Sequence, residues 1–143
     1  MITSMRNMHI RQLLLAVLLA APLLIVAAPA PAPAPAPAQD IQIRFETRPN
    51  PPHSGKNTVE VTVLDTAGMA ITNAMVEVRF HMAAMPSMNM PEMSATVVTK
   101  HAGKGRYRGE GKLVMGGTWE VTVTVMLDGT RLGRKKFIVN AKG

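Results

Sequence analysis

The chain has 143 residues, enough for one domain with a real core and short for two. It carries 16 Lys and Arg against 9 Asp and Glu, a formal net charge of +7, and is 47% apolar but only 3% aromatic. It has no Cys, which excludes a disulfide scaffold, thiolate metal sites, a thiol nucleophile, c-type haem attachment and a cysteine-linked lipid.

Arg6 and Arg11 precede an uncharged apolar run over residues 13–28. A basic segment followed by an apolar one is the pattern of an export signal. The run is shorter than the ~20 residues a spanning helix needs, and Pro22 interrupts it. Residues 1–28 therefore read as a signal peptide, with a retained N-terminal membrane anchor as the alternative. Residues 29–38 form an Ala-Pro linker. Alternate residues there lack an N–H and have fixed φ, so neither helix nor sheet can form. The segment is expected to be extended polyproline II, rising ~3.1 Å per residue.

Residues 39–143 form the domain. Beyond the linker the period is two, not 3.6. Ile41-Gln42-Ile43-Arg44-Phe45 alternates, as do Val59-Glu60-Val61-Thr62-Val63 and Val76-Glu77-Val78-Arg79-Phe80-His81-Met82. Trp119 to Val125 alternates most clearly, and Phe137-Ile138-Val139 closes the chain. Weaker runs cover residues 94–99 and 106–114. Turn signals separate them: Asn50-Pro51-Pro52, Thr66-Ala67-Gly68, Gly103-Lys104-Gly105, Gly116-Gly117 and Asp128-Gly129, the last reading as a tight hairpin. About seven short strands and no amphipathic helix predict an all-β, immunoglobulin-like antiparallel β-sandwich, with a small closed barrel as the competing architecture. The inward phase is Val59, Val61 and Val63, then Val76, Val78, Phe80 and Met82, then Trp119, Val121, Val123 and Val125. Trp119 reads as a core tryptophan.

The densest basic cluster is Arg131, Arg134, Lys135 and Lys136. It reads as a solvated sheet edge, where lysines discourage strand-to-strand aggregation. Without interleaved aromatics it does not predict a nucleic-acid surface.

Five of the 12 methionines, Met82, Met85, Met88, Met90 and Met93, fall within one stretch that ends one strand and precedes the next. Even scattering would put about one there. Pro86 and Pro91 deny this stretch ladder hydrogen bonds and push Met85 and Met90 into extended geometry. In polyproline II, Met82, Met85 and Met88 would share one edge, and Met90 and Met93 are also three apart; in a locally strand-like stretch Met88 and Met90 would share a side, so several conformations bring two or three thioethers together. Thioether sulfur is soft and neutral, and soft ligands select Cu(I), and Ag(I) by the same logic, over Zn²⁺, Mg²⁺ or Ca²⁺. An exported chain without Cys that handles copper is expected to use Met and His. The candidate ligands are Met85, Met88, Met90 and Met93, with His81 and Met82 auxiliary. Met82 also falls in the inward phase, and His81 in the outward one. The competing reading is packing, since Met fills irregular gaps well.

The domain resembles the YtkA-like (FixH-like) family of exported bacterial domains. The residues carrying the likeness are Pro51-Pro52 with Gly55-Lys56-Asn57 leading into Val59-Glu60-Val61, then Asp65, Gly68 and Ala74-Met75-Val76. Met85-Pro86-Ser87-Met88, Gly105-Arg106-Tyr107-Arg108-Gly109 and Leu113 to Trp119 complete it. The resemblance implies a sandwich outside the cytoplasm, in the periplasm. It also implies an association with heavy-metal efflux or with copper supply to an oxidase.

Two functions compete. One is a periplasmic copper-binding domain holding Cu(I) or Ag(I) on the methionine loop. The other is a metal-free interaction module docking on a copper-efflux or oxidase-assembly membrane protein. No nucleic-acid partner is expected, and membrane attachment only through an uncleaved N-terminus. No Ser-His-Asp order, paired carboxylate site, HExxH or phosphate loop is present, so the chain does not read as an enzyme.

Overall fold

The computed structural model describes residues 40–143. The expected signal or anchor at 1–28 and the Ala-Pro linker at 29–38 lie outside the described residues. Eight strands follow: β1 Gln42–Arg48, β2 Gly55–Leu64, β3 Met75–Met82, β4 Met93–Val98, β5 Lys100–His101, β6 Arg106–Leu113, β7 Gly117–Leu127 and β8 Thr130–Ala141. They form two four-stranded sheets, ordered β1-β2-β6-β5 and β4-β3-β7-β8, with every strand pair antiparallel. Lettered in chain order as A, B, C, C′, D, E, F and G, these are A-B-E-D facing C′-C-F-G. That is the immunoglobulin arrangement, and the sheets do not close into a barrel.

The alternating pattern produces the core directly. Val59, Val61, Val63, Val76, Val78, Phe80, Met82, Trp119, Val121, Val123 and Val125 are all buried. Each such side chain contributes about 1.5–3 kcal/mol relative to exposure, against the conformational entropy of ordering the chain. Ile43, Val97, Tyr107, Leu113 and Leu132 complete the centre. Phe45 lies edge-on to Phe80 with ring centroids 6.1 Å apart, and 5.4 Å from Phe137.

Two departures from the expected strands have local causes. β5 is an added two-residue strand beside β6, too short to show a period. β8 is far longer than the Phe137-Ile138-Val139 run. Between Val125 and Met126 its register shifts, so that Gly133 and Arg131 face successive β7 residues and Leu132 is the extra one. The bulge puts both Leu132 and Gly133 inside and erases the alternation. β8 is an edge strand, which accounts for its Arg and Lys cluster.

Polar groups inside the sandwich are paired. Asn57 takes an inward position at the start of β2. Its amide accepts from the His53 N–H at 3.0 Å and donates to the carbonyls of His53 at 2.7 Å and Gly55 at 3.0 Å. The Tyr107 hydroxyl donates to the Ile71 carbonyl at 2.8 Å and accepts from the Ala74 N–H at 3.0 Å, tying down the β2–β3 connection. Trp119 donates its indole N–H to the Met115 carbonyl at 3.2 Å.

Candidate functional site

The methionine stretch is the connection between β3 and β4, two neighbouring strands of one sheet. The register pairs His81 with Ser94 and Met82 with Met93. The same pairing resumes beyond the strands, where Met85 and Met90 form an isolated antiparallel bridge. Met85 N–H donates to the Met90 carbonyl at 2.9 Å, and Met90 N–H donates back at 3.1 Å. Pro86, Ser87 and Met88 turn the chain as one 3-10 turn, closed by the Met88 N–H on the Met85 carbonyl. Asn89 caps it in the left-handed region, at φ 52°, a conformation Asn tolerates better than most residues.

Of the conformations open to the stretch, the chain takes a hairpin tip and not the polyproline II edge. A polyproline II strand leaves its backbone groups to water, whereas the tip satisfies Met85, Met88, Asn89 and Met90 internally. Pro86 fits because its missing N–H falls at the first position of the turn. Met85 precedes that turn in extended geometry, at φ −118° and ψ 83°, and Met88 ends it. A bridge pair that exchanges both hydrogen bonds holds its Cα atoms ~5.5 Å apart with side chains on one face. Met85 and Met90 are thus brought side by side.

The six predicted residues separate into layers. Met82 is buried, 4% exposed, and its methyl sits so close to Gly117 that a Cβ there would meet it at 3.0 Å. Met93, its register partner, is half-buried and packs on the core, as does Met85. Met90 is half-buried, while Met88 at the tip is 61% exposed. His81 leaves on the opposite, outer face of the sheet, with its Nε2 3.5 Å from Glu92. The register sets Met82 beside Met93 and Met85 beside Met90, leaves Met88 out at the tip, and turns His81 away from Met82. Met115 is half-buried against the same core, next to Gly116 and Gly117.

Among the described residues, no three His, Asp or Glu side chains gather closely enough to hold a metal ion. The hairpin's donor set is thioether alone, a chemistry that fits a soft monovalent cation and not a hard divalent one.

Among the described residues, the shortest ion pair lies on the other sheet and was not legible in the sequence. Glu60, with its side chain only 8% exposed, receives both Nε and a terminal nitrogen of Arg108, at 3.2 and 2.6 Å. The Arg108 hydrogen bond holds the Glu60 carboxyl below its ordinary range, against the opposing effect of burial. Alternation placed Glu60 outward, but only the β2–β6 register shows that Arg108 lies opposite it.

The model of the YtkA-like family matches residues 36–124. No curated protein matches the sequence. Among solved structures, the filamin domain of Lin-41 superposes with a TM-score of 0.43 at 12% identity, over 73% of this chain and 94% of that one. MtrC from Shewanella baltica OS185 superposes with a TM-score of 0.44 at 12% identity, over 73% of this chain and 22% of that one. The sandwich assignment rests on the strand order itself.

Proposed function

The chain belongs to the YtkA-like family, and from that premise we propose that it is an exported, periplasmic copper-handling domain that binds Cu(I), or Ag(I) by the same chemistry, on its methionine hairpin. Met85, Met88, Met90 and Met93 are the proposed ligands. Met82 forms the floor beneath them and His81 stands apart on the other face. The observation that carries this reading is the paired register, Met82 with Met93 and Met85 with Met90, topped by an exposed Met88. A loop that needed methionine only to seal the sandwich would not leave one of them so far in solvent.

The cation would supply a soft acceptor for neutral sulfur. The chain contributes a hairpin closed by its own backbone, so little freedom is lost when the thioethers converge. No proton is released on binding to thioethers, so affinity is expected to be nearly flat with pH.

An anaerobic Cu(I) titration against a chromophoric chelator tests this. Wild-type protein is expected to compete, and a Met85→Leu, Met88→Leu, Met90→Leu, Met93→Leu variant to lose at least about tenfold in affinity. Leu is close to Met in volume, so the variant's thermal midpoint should change little. Equal competition by the two proteins sinks the copper reading. The exposed Met88 also favours a second reading, a metal-free module whose adaptable methionine surface docks on an efflux or oxidase-assembly membrane protein. The same Leu variant separates the two, because it keeps the apolar surface and removes the donors.

A further inference from the structure

The domain's positive charge is not shared evenly between its two outer faces. On the β1-β2-β6-β5 sheet the outward positions fall in rows set by the register. Lys56 stands opposite Lys112. Arg48 faces Thr58, which faces Glu110. Glu46 faces Glu60, then Arg108, then Lys100. Arg44 faces Thr62, then Arg106. These rows hold seven basic and three acidic groups, and one of the acids, Glu60, is consumed by Arg108. The other sheet's outward face mixes Arg79, Arg131, Arg134 and Lys136 with Glu77 and Glu120, and Lys136 is paired with Glu120 at 3.0 Å.

We propose that the outer face of the β1-β2-β6-β5 sheet is an electrostatic docking surface for an anionic phospholipid bilayer. The geometry favours a plane of phosphates over one small anion. Neighbouring strands lie ~4.8 Å apart and alternate residues ~6.7 Å apart along a strand, so the cations form a lattice across four strands without converging on a point. An open groove of about 490 Å³ lies on this face between Arg48, Lys100, His101 and Arg108, with Glu110 also in its wall, and it is too open to enclose a small anion. The rows carry no large exposed hydrophobic side chain. Adsorption is therefore by charge alone, without insertion, at about fivefold in affinity per cation near the surface. The chain ahead of the described residues ends next to β1, the edge strand of this same sheet, and contains the apolar run at 13–28. A bilayer is the partner that such a run already addresses.

The test is lysine acetylation read by mass spectrometry on the full chain, so that any N-terminal attachment is common to all arms. The probes are vesicles of phosphatidylcholine alone and of equal parts phosphatidylcholine and phosphatidylglycerol, at low salt. With the anionic vesicles, Lys56, Lys100 and Lys112 should be protected about fivefold or more, and Lys136, on the outer face of the other sheet, less than about twofold. Neutral vesicles should protect none of them. Molar salt, with a Debye length of ~3 Å, should abolish the protection. An Arg44→Gln, Arg48→Gln, Arg106→Gln variant should lose it. An Arg79→Gln, Arg131→Gln, Arg134→Gln variant, equal in charge removed, should keep it; all six positions are exposed, so both variants should fold. Equal loss in the two variants, equal protection on both faces, or no protection at all overturns the proposal. So does equal protection by inorganic phosphate at matched concentration, which would make the face a free-anion site.

Discussion

Met82 and Met88 belong to one hairpin and have opposite surroundings. Met82 is 4% exposed and fills the space under Gly117, while Met88 is 61% exposed at the tip. The same residue type serves the core at the base of the connection and faces water at its end. The difference teaches that methionine enrichment alone does not mark a site. What separates the two roles is the step from the β3–β4 ladder, where Met82 pairs with Met93, to the bridge outside it, where Met85 pairs with Met90. Substitutions in the base should cost stability, and those at the tip should cost only the proposed binding.

The largest effect is expected at the base. Phe80→Ala should destabilise by about 3–5 kcal/mol and Met82→Ala by about 2–5 kcal/mol, measured by urea unfolding, because both leave cavities in a filled core. A Met82→Ala variant as stable as the native chain would erase the distinction. Next comes Tyr107→Phe. It strips a donor from the Ile71 carbonyl and an acceptor from the Ala74 N–H, and should cost about 1–3 kcal/mol in the same assay.

A smaller effect concerns acid. Glu60 has a folded-state pKa below its ordinary value, so its contribution is fully present above the unfolded-state pKa and is lost as pH falls through the folded one. Glu60→Gln should flatten that part of the acid limb in a pH series of thermal midpoints, on a sheet remote from the hairpin. The smallest effect is at the tip. Met88→Leu should change unfolding stability by no more than about 0.5 kcal/mol. A larger loss would mean that the tip is packing after all.

The core was legible because its strands keep strict alternation; all the inward residues expected from Val59 to Val125 are buried. The pairing of Glu60 with Arg108 was not, because register joins residues far apart in sequence. Nor was the length of β8, where one inserted residue, Leu132, breaks the period. The hairpin was half legible. Its composition and its place between two strands could be read, and so could the outward turn of His81. Its conformation could not, because prolines constrain φ without revealing that Met85 and Met90 exchange hydrogen bonds across them.

Gly109 and Gly111 lie on the inward side of β6, where an added Cβ would come within 2.6 and 2.5 Å of the two methyl groups of Val97. Their missing side chains form a notch, and Val97 of β4 is the tooth that enters it. A slip of β4 by one residue would withdraw the tooth and present Val98 or Thr96 instead, so the sliding of this leg is blocked from the opposite sheet. The hairpin's other leg, β3, is already locked between β4 and β7. The tip between them is therefore free to change its composition without loosening its mounting. Residues there can be exchanged for others that suit a different ion or a different surface, while the sandwich beneath keeps its register.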